Sequence, residues 1–157
     1  MKTIAFLAIF VTIGMLTNAH VIQPKYVITE TDTFFCEKLH VGVFKTKCVL
    51  YSGEKMVIPT GEVLSYSNFG KTMVKLPVYV KNKKTNKLQM MELVSYSHGI
   101  RIYKYEYYNG AKDCTDALFC FYDRNECILT QVNPDLAQIM NFLNKYQSES
   151  HELLTSE

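Results

Sequence analysis

Tyr103, Tyr105 and Tyr107 recur at every second position, and Arg101 heads the row. In an extended chain that spacing puts all four on one face. Three flat apolar rings, each carrying a hydroxyl, suit an aromatic amine, a sterol or a fatty-acid-derived ligand, and a guanidinium at a cavity mouth suits a carboxylate. Alternation leaves Ile100, Ile102, Lys104 and Glu106 on the reverse face, and the two charges there favour tyrosines turned inward. The other arrangement coats the outer surface with tyrosine and turns the isoleucines in. Glu92 poses a similar choice, because strict alternation groups it with Leu88, Met90, Val94 and Tyr96. Inside a cavity, with Tyr96 beside it, this carboxylate would be neutralised by a cationic ligand; on a solvent face it would pair with a neighbouring lysine. Asp116 presents the same alternatives.

No constellation for catalysis accompanies these residues. The four histidines, His20, His40, His98 and His151, have no paired ligand spacing, no glycine run is built to cradle phosphate, and no His with Ser or Cys and an acid stands in motif spacing. Enzymatic activity, a metal centre and a cofactor are therefore not expected. Nucleic acid is not an expected partner either, since 17 Lys plus Arg stand against 15 Asp plus Glu. The one basic cluster, Lys81, Lys83, Lys84 and Lys87, reads as a solvated hairpin tip.

Lys2 supplies a positive n-region, Ile4 to Leu16 an apolar stretch too short to span a bilayer, and Thr17-Asn18-Ala19 small residues for cleavage. The sequence thus predicts a signal peptide over 1–19, a secreted, extracellular product starting near His20, and no membrane span. Export places all five cysteines, Cys36, Cys48, Cys114, Cys120 and Cys127, in an oxidising compartment. Two disulfide bonds and one orphan are expected, in any of about fifteen arrangements. A bridge crossing from the N-terminal pair to the C-terminal trio is the favoured one, since it closes the longest loop.

The elements that must position these groups are mostly strands, given 11 Tyr and 9 Phe and many β-branched residues. Strands are predicted over Tyr26 to Thr31, over Leu39 to Tyr51 with a bulge at Gly42, and over Lys55 to Ser65 with a kink at Pro59 and Gly61. A hairpin follows, Thr72 to Val80 turning through Asn82 to Asn86 into Leu88 to Ser97. His98-Gly99 leads into Ile100 to Tyr108, Asn109-Gly110 turns the chain again, and Leu118 to Tyr122 pairs with Cys127 to Val132 across Asp123 to Glu126. A helix opens with Asn133 as cap and Pro134 in first position, burying Leu136, Ile139, Met140 and Leu143 on one face against the outside of the sheet. The tail, 147–157, is polar and expected to be flexible. A single domain over 20–146 results, a meander of seven or eight strands whose apolar face must be covered; short turns favour an antiparallel up-and-down β-barrel with a C-terminal α-helix.

The final strand Cys127-Ile128-Leu129-Thr130-Gln131-Val132 followed by Asn133-Pro134-Asp135-Leu136 resembles the end of a lipocalin. Tyr26-Val27-Ile28, Lys47-Cys48-Val49 and the run from Tyr107-Tyr108 to Asp113-Cys114 are similar to the secreted salivary lipocalins of ticks. The resemblance implies a mainly β, lipocalin-like barrel enclosing a ligand cavity. It departs from the pattern in having no Trp, in Thr115 where amine-binding members carry an acid (Asp116 comes one place later), and in Glu126-Cys127-Ile128 where they carry Glu-Leu and an aromatic. These departures weaken histamine or serotonin capture more than the fold.

Two functions follow as expectations. The first is sequestration of a small hydrophobic or amphipathic ligand, a biogenic amine or lipid mediator, in a barrel cavity. The alternative is a secreted protein-binding inhibitor or immune-evasion module with a filled β core, meeting a host protein through loops such as Thr33-Phe34-Phe35. A two-sheet sandwich used for adhesion would need Greek-key connections in place of short hairpins.

Overall fold

A computed structural model describes residues 23–80 and 82–155. The signal peptide expected over 1–19 and the chain start near His20 lie outside the described residues. Ten strands and one helix follow in order: β1 (Lys25–Ile28), β2 (Thr33–Val41), β3 (Lys45–Leu50), β4 (Lys55–Pro59), β5 (Ser65–Asn68), β6 (Lys71–Val80), β7 (Lys83–Ser97), β8 (Ile100–Asn109), β9 (Cys114–Asp123), β10 (Glu126–Val132) and α1 (Leu136–Thr155). All ladders are antiparallel, in one sheet of order β10-β9-β8-β7-β6-β5-β1-β2-β3-β4. The fold is mainly β with a C-terminal helix, but the sheet keeps two free edges, β10 and β4, and does not close as a barrel.

One local signal splits a strand expected as continuous. Gly42 to Phe44 form a tight turn in which Gly42 N–H donates to the Lys45 carbonyl, and a Cβ at Gly42 would sit 2.9 Å from that oxygen. The single strand expected over Leu39 to Tyr51 is therefore two, β2 and β3. Thr33-Phe34-Phe35 belongs to β2, so alternation turns Phe34 into the core and leaves Phe35 exposed. Where the turns need positive φ, the chain supplies it: His98 and Gly99 stand at 52° and 81° between Ser97 and Ile100, as the hairpin rule anticipates.

The sheet buries apolar groups on opposite faces at its two ends. In the N-terminal half, Val27, Cys36, Leu39, Cys48, Ile58 and Val63 form one core, reached by Met90 from β7. Met91, one residue on and therefore on the reverse face, joins Tyr103, Leu118, Cys120 and Tyr122 in a second core. The helix covers the back of the C-terminal half: Ile139, Phe142, Leu143 and Tyr146 pack on Ile100, Ile102 and Phe121, with the Phe121 and Phe142 rings 4.8 Å apart.

Asp135, not Asn133, caps this helix. Its carboxylate accepts from Gln138 N–H at 2.7 Å while Gln138 Oε1 accepts from Asp135 N–H at 3.1 Å, a reciprocal capping box. Asn133 is instead drawn back to β9. Leu136 and Met140, expected in the packing stripe, are exposed: Leu136 precedes the first packed residue, Ile139, and Met140 falls to the side of the stripe that Ile139, Phe142, Leu143 and Tyr146 form. The backbone also remains helical from Gln147 to Thr155, where the polar composition pointed to a flexible tail; Gln, Glu and Leu in that stretch are sound helix formers. No described helix is long and apolar enough to cross a membrane.

Candidate functional site: a tyrosine-floored cleft

The hairpin β6–β7 outgrows its neighbour. Strand β5 pairs with β6 only as far as Val74, so the stretch from Leu76 to Val80 bonds β7 alone. Pro77, which has no N–H to give a ladder, sits on that unpaired edge. The projecting tip reaches the far edge of the sheet, where Asn82 Oδ1 accepts from Thr130 N–H at 3.1 Å and from the Thr130 hydroxyl at 2.6 Å. A side chain thus spans the gap that a ladder would close in a barrel.

Beneath the tip opens a cleft of about 1130 Å³. Small-ligand cavities commonly occupy roughly 300–1,000 Å³, so a ligand with an extended chain fits. Tyr105 and Tyr107 line it, stacked with centroids 6.0 Å apart and planes 17° from parallel. Val78 and Val80 of β6, Leu118 of β9 and Val132 of β10 complete apolar walls. Lys87 and Glu106 contribute the charges of the lining. Glu106 is bound to Lys104 at 3.0 Å, whereas Lys87 has no ion-pair partner among the described residues.

Tyr103 continues the row inward but is only 4% exposed, its ring edge-on to Tyr122 at 5.4 Å. Tyr79 meets Tyr122 from the other side at 6.3 Å, also edge-on. The Tyr122 hydroxyl is buried with no hydrogen bond of acceptable geometry, and burial pushes its pKa well above the ordinary phenol value.

One end of the cleft is tied by Asp116, 2% exposed and opposite Tyr107 in the ladder. Its oxygens accept from Asn109 Nδ2 at 2.6 Å and Asn133 Nδ2 at 2.7 Å, and Lys112 Nζ lies 3.7 Å away. Those hydrogen bonds, Asn109 first, hold the carboxyl below its usual value against the opposing effect of burial. Asn133 also bonds Ala117 in both directions, so the Asp116 cluster fastens the end of β10 to β9. Asp116 is satisfied by the chain itself. Asn109 also accepts from Ala111 N–H through its side chain, and the turn runs from Gly110 to Asp113 in place of a two-residue Asn-Gly turn.

The structure brings together Tyr103, Tyr105 and Tyr107 as the alternation requires, with Ile100 and Ile102 under the helix on the reverse face. It does not bring Arg101, Glu92 or Tyr96 to the cleft. Arg101 pairs with Tyr122 and Tyr96 in the ladders, at the end of the row away from Tyr107, and donates to Asn125 Oδ1 at 3.3 Å. Glu92 lies on the opposite face between Lys71 at 3.1 Å and Lys104 at 3.8 Å, a solvent-side ion cluster. A register shift between Leu93 and Ser95 breaks the alternation that grouped Glu92 with Tyr96, and Tyr96 ends 69% exposed.

The five cysteines divide between the two cores and the surface. Cys36 and Cys48 share the N-terminal core, Cys120 lies in the second core with Cys127 packed on it, and Cys114 is exposed at the start of β9. These cores face opposite sides of the sheet, which does not suit a bridge from Cys36 or Cys48 to Cys120 or Cys127. Among the described residues no three or more His, Cys, Asp or Glu side chains converge as a metal site. Val78, Val80, Lys87 and Val132 escaped the sequence reading as cleft residues; the apolar row from Thr72 to Val80 was the available signal, but only the curl of the sheet carries its end over the tyrosines. Compared with protein-family models, curated proteins and solved structures, the chain matches none.

Proposed function

We propose that this chain is an exported, lipocalin-like carrier that sequesters a small amphipathic ligand on the Tyr105–Tyr107 floor. The observation that carries this reading is an apolar cleft large enough for such a ligand, walled by five strands and floored by stacked rings. A helix on the back of the antiparallel sheet, with the cleft on the other face, supports the carrier reading. Of the two ligand classes suggested by the sequence, an acidic lipid suits the rim better than an amine, since Lys87 is the charge left without a counter-ion. Native mass spectrometry of the full chain against long-chain fatty acids, eicosanoids and biogenic amines tests it. One-to-one adducts with the acids support the reading; no adduct with any member contradicts it.

A second reading rests on a different observation. Val43 and Phe44 at the β2–β3 turn are each 84% exposed, and Phe69 at the β5–β6 turn is 85% exposed. Apolar loop tips of this kind suit contact with another protein. Binding of a host protein that survives cleft substitutions and fails with Phe44→Ser would favour it.

A further inference from the structure

Four of the five cysteines occupy one repeated arrangement. In the β2–β3 hairpin Cys36 pairs with Leu50, and Leu39, three residues after Cys36, pairs with Cys48, two residues before Leu50. In the β9–β10 hairpin Cys127 pairs with Tyr122, and Thr130, three residues after Cys127, pairs with Cys120, two residues before Tyr122. Each ladder shifts register between the two rungs, from Cys36 to Lys38 in one and from Cys127 to Leu129 in the other. The bulge gives the bulged strand one extra residue and a stronger twist, which turns a diagonal pair of side chains toward each other on one face.

We propose that both hairpins carry a disulfide at this motif, Cys36–Cys48 and Cys120–Cys127, and that Cys114 remains a thiol. Cys36 and Cys48 are buried in the same core, and that burial, reinforced by Cys48, raises the Cys36 thiol to about 12. Cys127 likewise packs against the core that holds Cys120, and the two thiols push each other's pKa apart, Cys120 up and Cys127 down. Cys114 stands apart, exposed, with Asp116 Oδ1 3.8 Å from its sulfur.

The reaction is thiol–disulfide exchange with a small disulfide oxidant such as oxidised glutathione. In the C-terminal pair the Cys127 thiolate attacks one oxidant sulfur and expels a glutathione thiolate. Cys120 then attacks the Cys127 sulfur of the mixed disulfide and expels the second glutathione thiolate. One S–S bond forms, one breaks, and the two protons lost by the cysteines end on the two glutathiones. The same exchange closes Cys36–Cys48. The C-terminal bond would pin β10 to β9 beside Leu118 and Thr130, which line the cleft. None of this depends on what the cleft holds.

Disulfide mapping of the full chain equilibrated in a glutathione redox buffer tests the assignment. After alkylation of free thiols under denaturing conditions, trypsin separates Cys36 from Cys48 at Lys38, Lys45 and Lys47, and Cys120 from Cys127 at Arg124. A protease cutting before Asp116 separates Cys114 from Cys120. The expected result is two cross-linked peptides, Cys36 with Cys48 and Cys120 with Cys127, and an alkylated Cys114. A bridge between the two groups, a bridge engaging Cys114, or five alkylated cysteines would overturn it, and closure of one pair alone overturns the other. Cys127→Ser should free Cys120 for alkylation and leave Cys36–Cys48 joined; a new Cys114–Cys120 bond in that variant together with an alkylated Cys114 in the parent still fits the assignment.

Discussion

Asn82 and Thr130, 48 residues apart in sequence, are joined by two hydrogen bonds to a single side-chain oxygen, and this contact holds the β6–β7 tip over the tyrosine floor. Asn82→Ala removes both acceptances at an exposed site. The expected loss is about 1–2 kcal/mol. Hydrogen exchange read at the Thr130 amide should accelerate in the variant, with Phe121 and Cys120 amides unchanged; equal exchange at Thr130 in both proteins would mean the tip is held by something else.

Tyr122→Phe is expected to stabilise the chain or leave it unchanged. The hydroxyl it removes is buried and reaches only toward Tyr79, without good hydrogen-bond geometry, so releasing this poorly satisfied polar group returns up to roughly 1 kcal/mol. Urea unfolding of parent and variant measures this; a clear loss of stability would show that the hydroxyl has a partner.

The Asp116 cluster sets a pH dependence whose sign follows from its lowered pKa. The unfolded carboxylate binds a proton at a higher pH than the folded one, so the stabilisation is complete above the ordinary Asp value. It is lost as pH falls through the depressed folded value. Asp116→Asn should therefore melt several degrees below the parent at neutral pH, and the gap should narrow as the solution becomes strongly acidic. A gap that widens in acid would reverse the assignment.

Glu92→Gln should leave ligand binding within twofold of the parent. Glu92 lies on the face away from the cleft, and partly exposed ion pairs of this kind contribute about 0–1 kcal/mol to stability. Titration of parent and variant with the same fatty acid checks it, and a tenfold loss of affinity would place the carboxylate in the binding path.

Period-two patterning and turn chemistry made much of the C-terminal half legible in advance. His98-Gly99 and the turn before Glu126 lie where the residues require, and Tyr103, Tyr105 and Tyr107 share the face that alternation assigns. What escaped were single-residue shifts and long-range contacts. The register shift at Val94 sends Tyr96 and Glu92 to different faces, and nothing in the residues around it marks a bulge. Asn109-Gly110 carries a strong two-residue turn signal, yet Asn109 is committed through its side chain to Asp116, a contact set by the β8–β9 register. Barrel closure was expected because an apolar face must be covered. The chain covers it by curling its two halves toward opposite faces, which local pattern does not encode.

Tyrosine fluorescence titration with a long-chain fatty acid reads out whether the stacked tyrosines form the floor of a ligand site. Saturable one-to-one binding by the full chain is expected, weakened at least about tenfold in Tyr105→Ala/Tyr107→Ala and unaltered in the exposed-site variant Tyr96→Ala, since losing two ring contacts exceeds roughly 1.4 kcal/mol. Binding of equal strength in the double variant, with circular dichroism showing all three proteins folded, would contradict it.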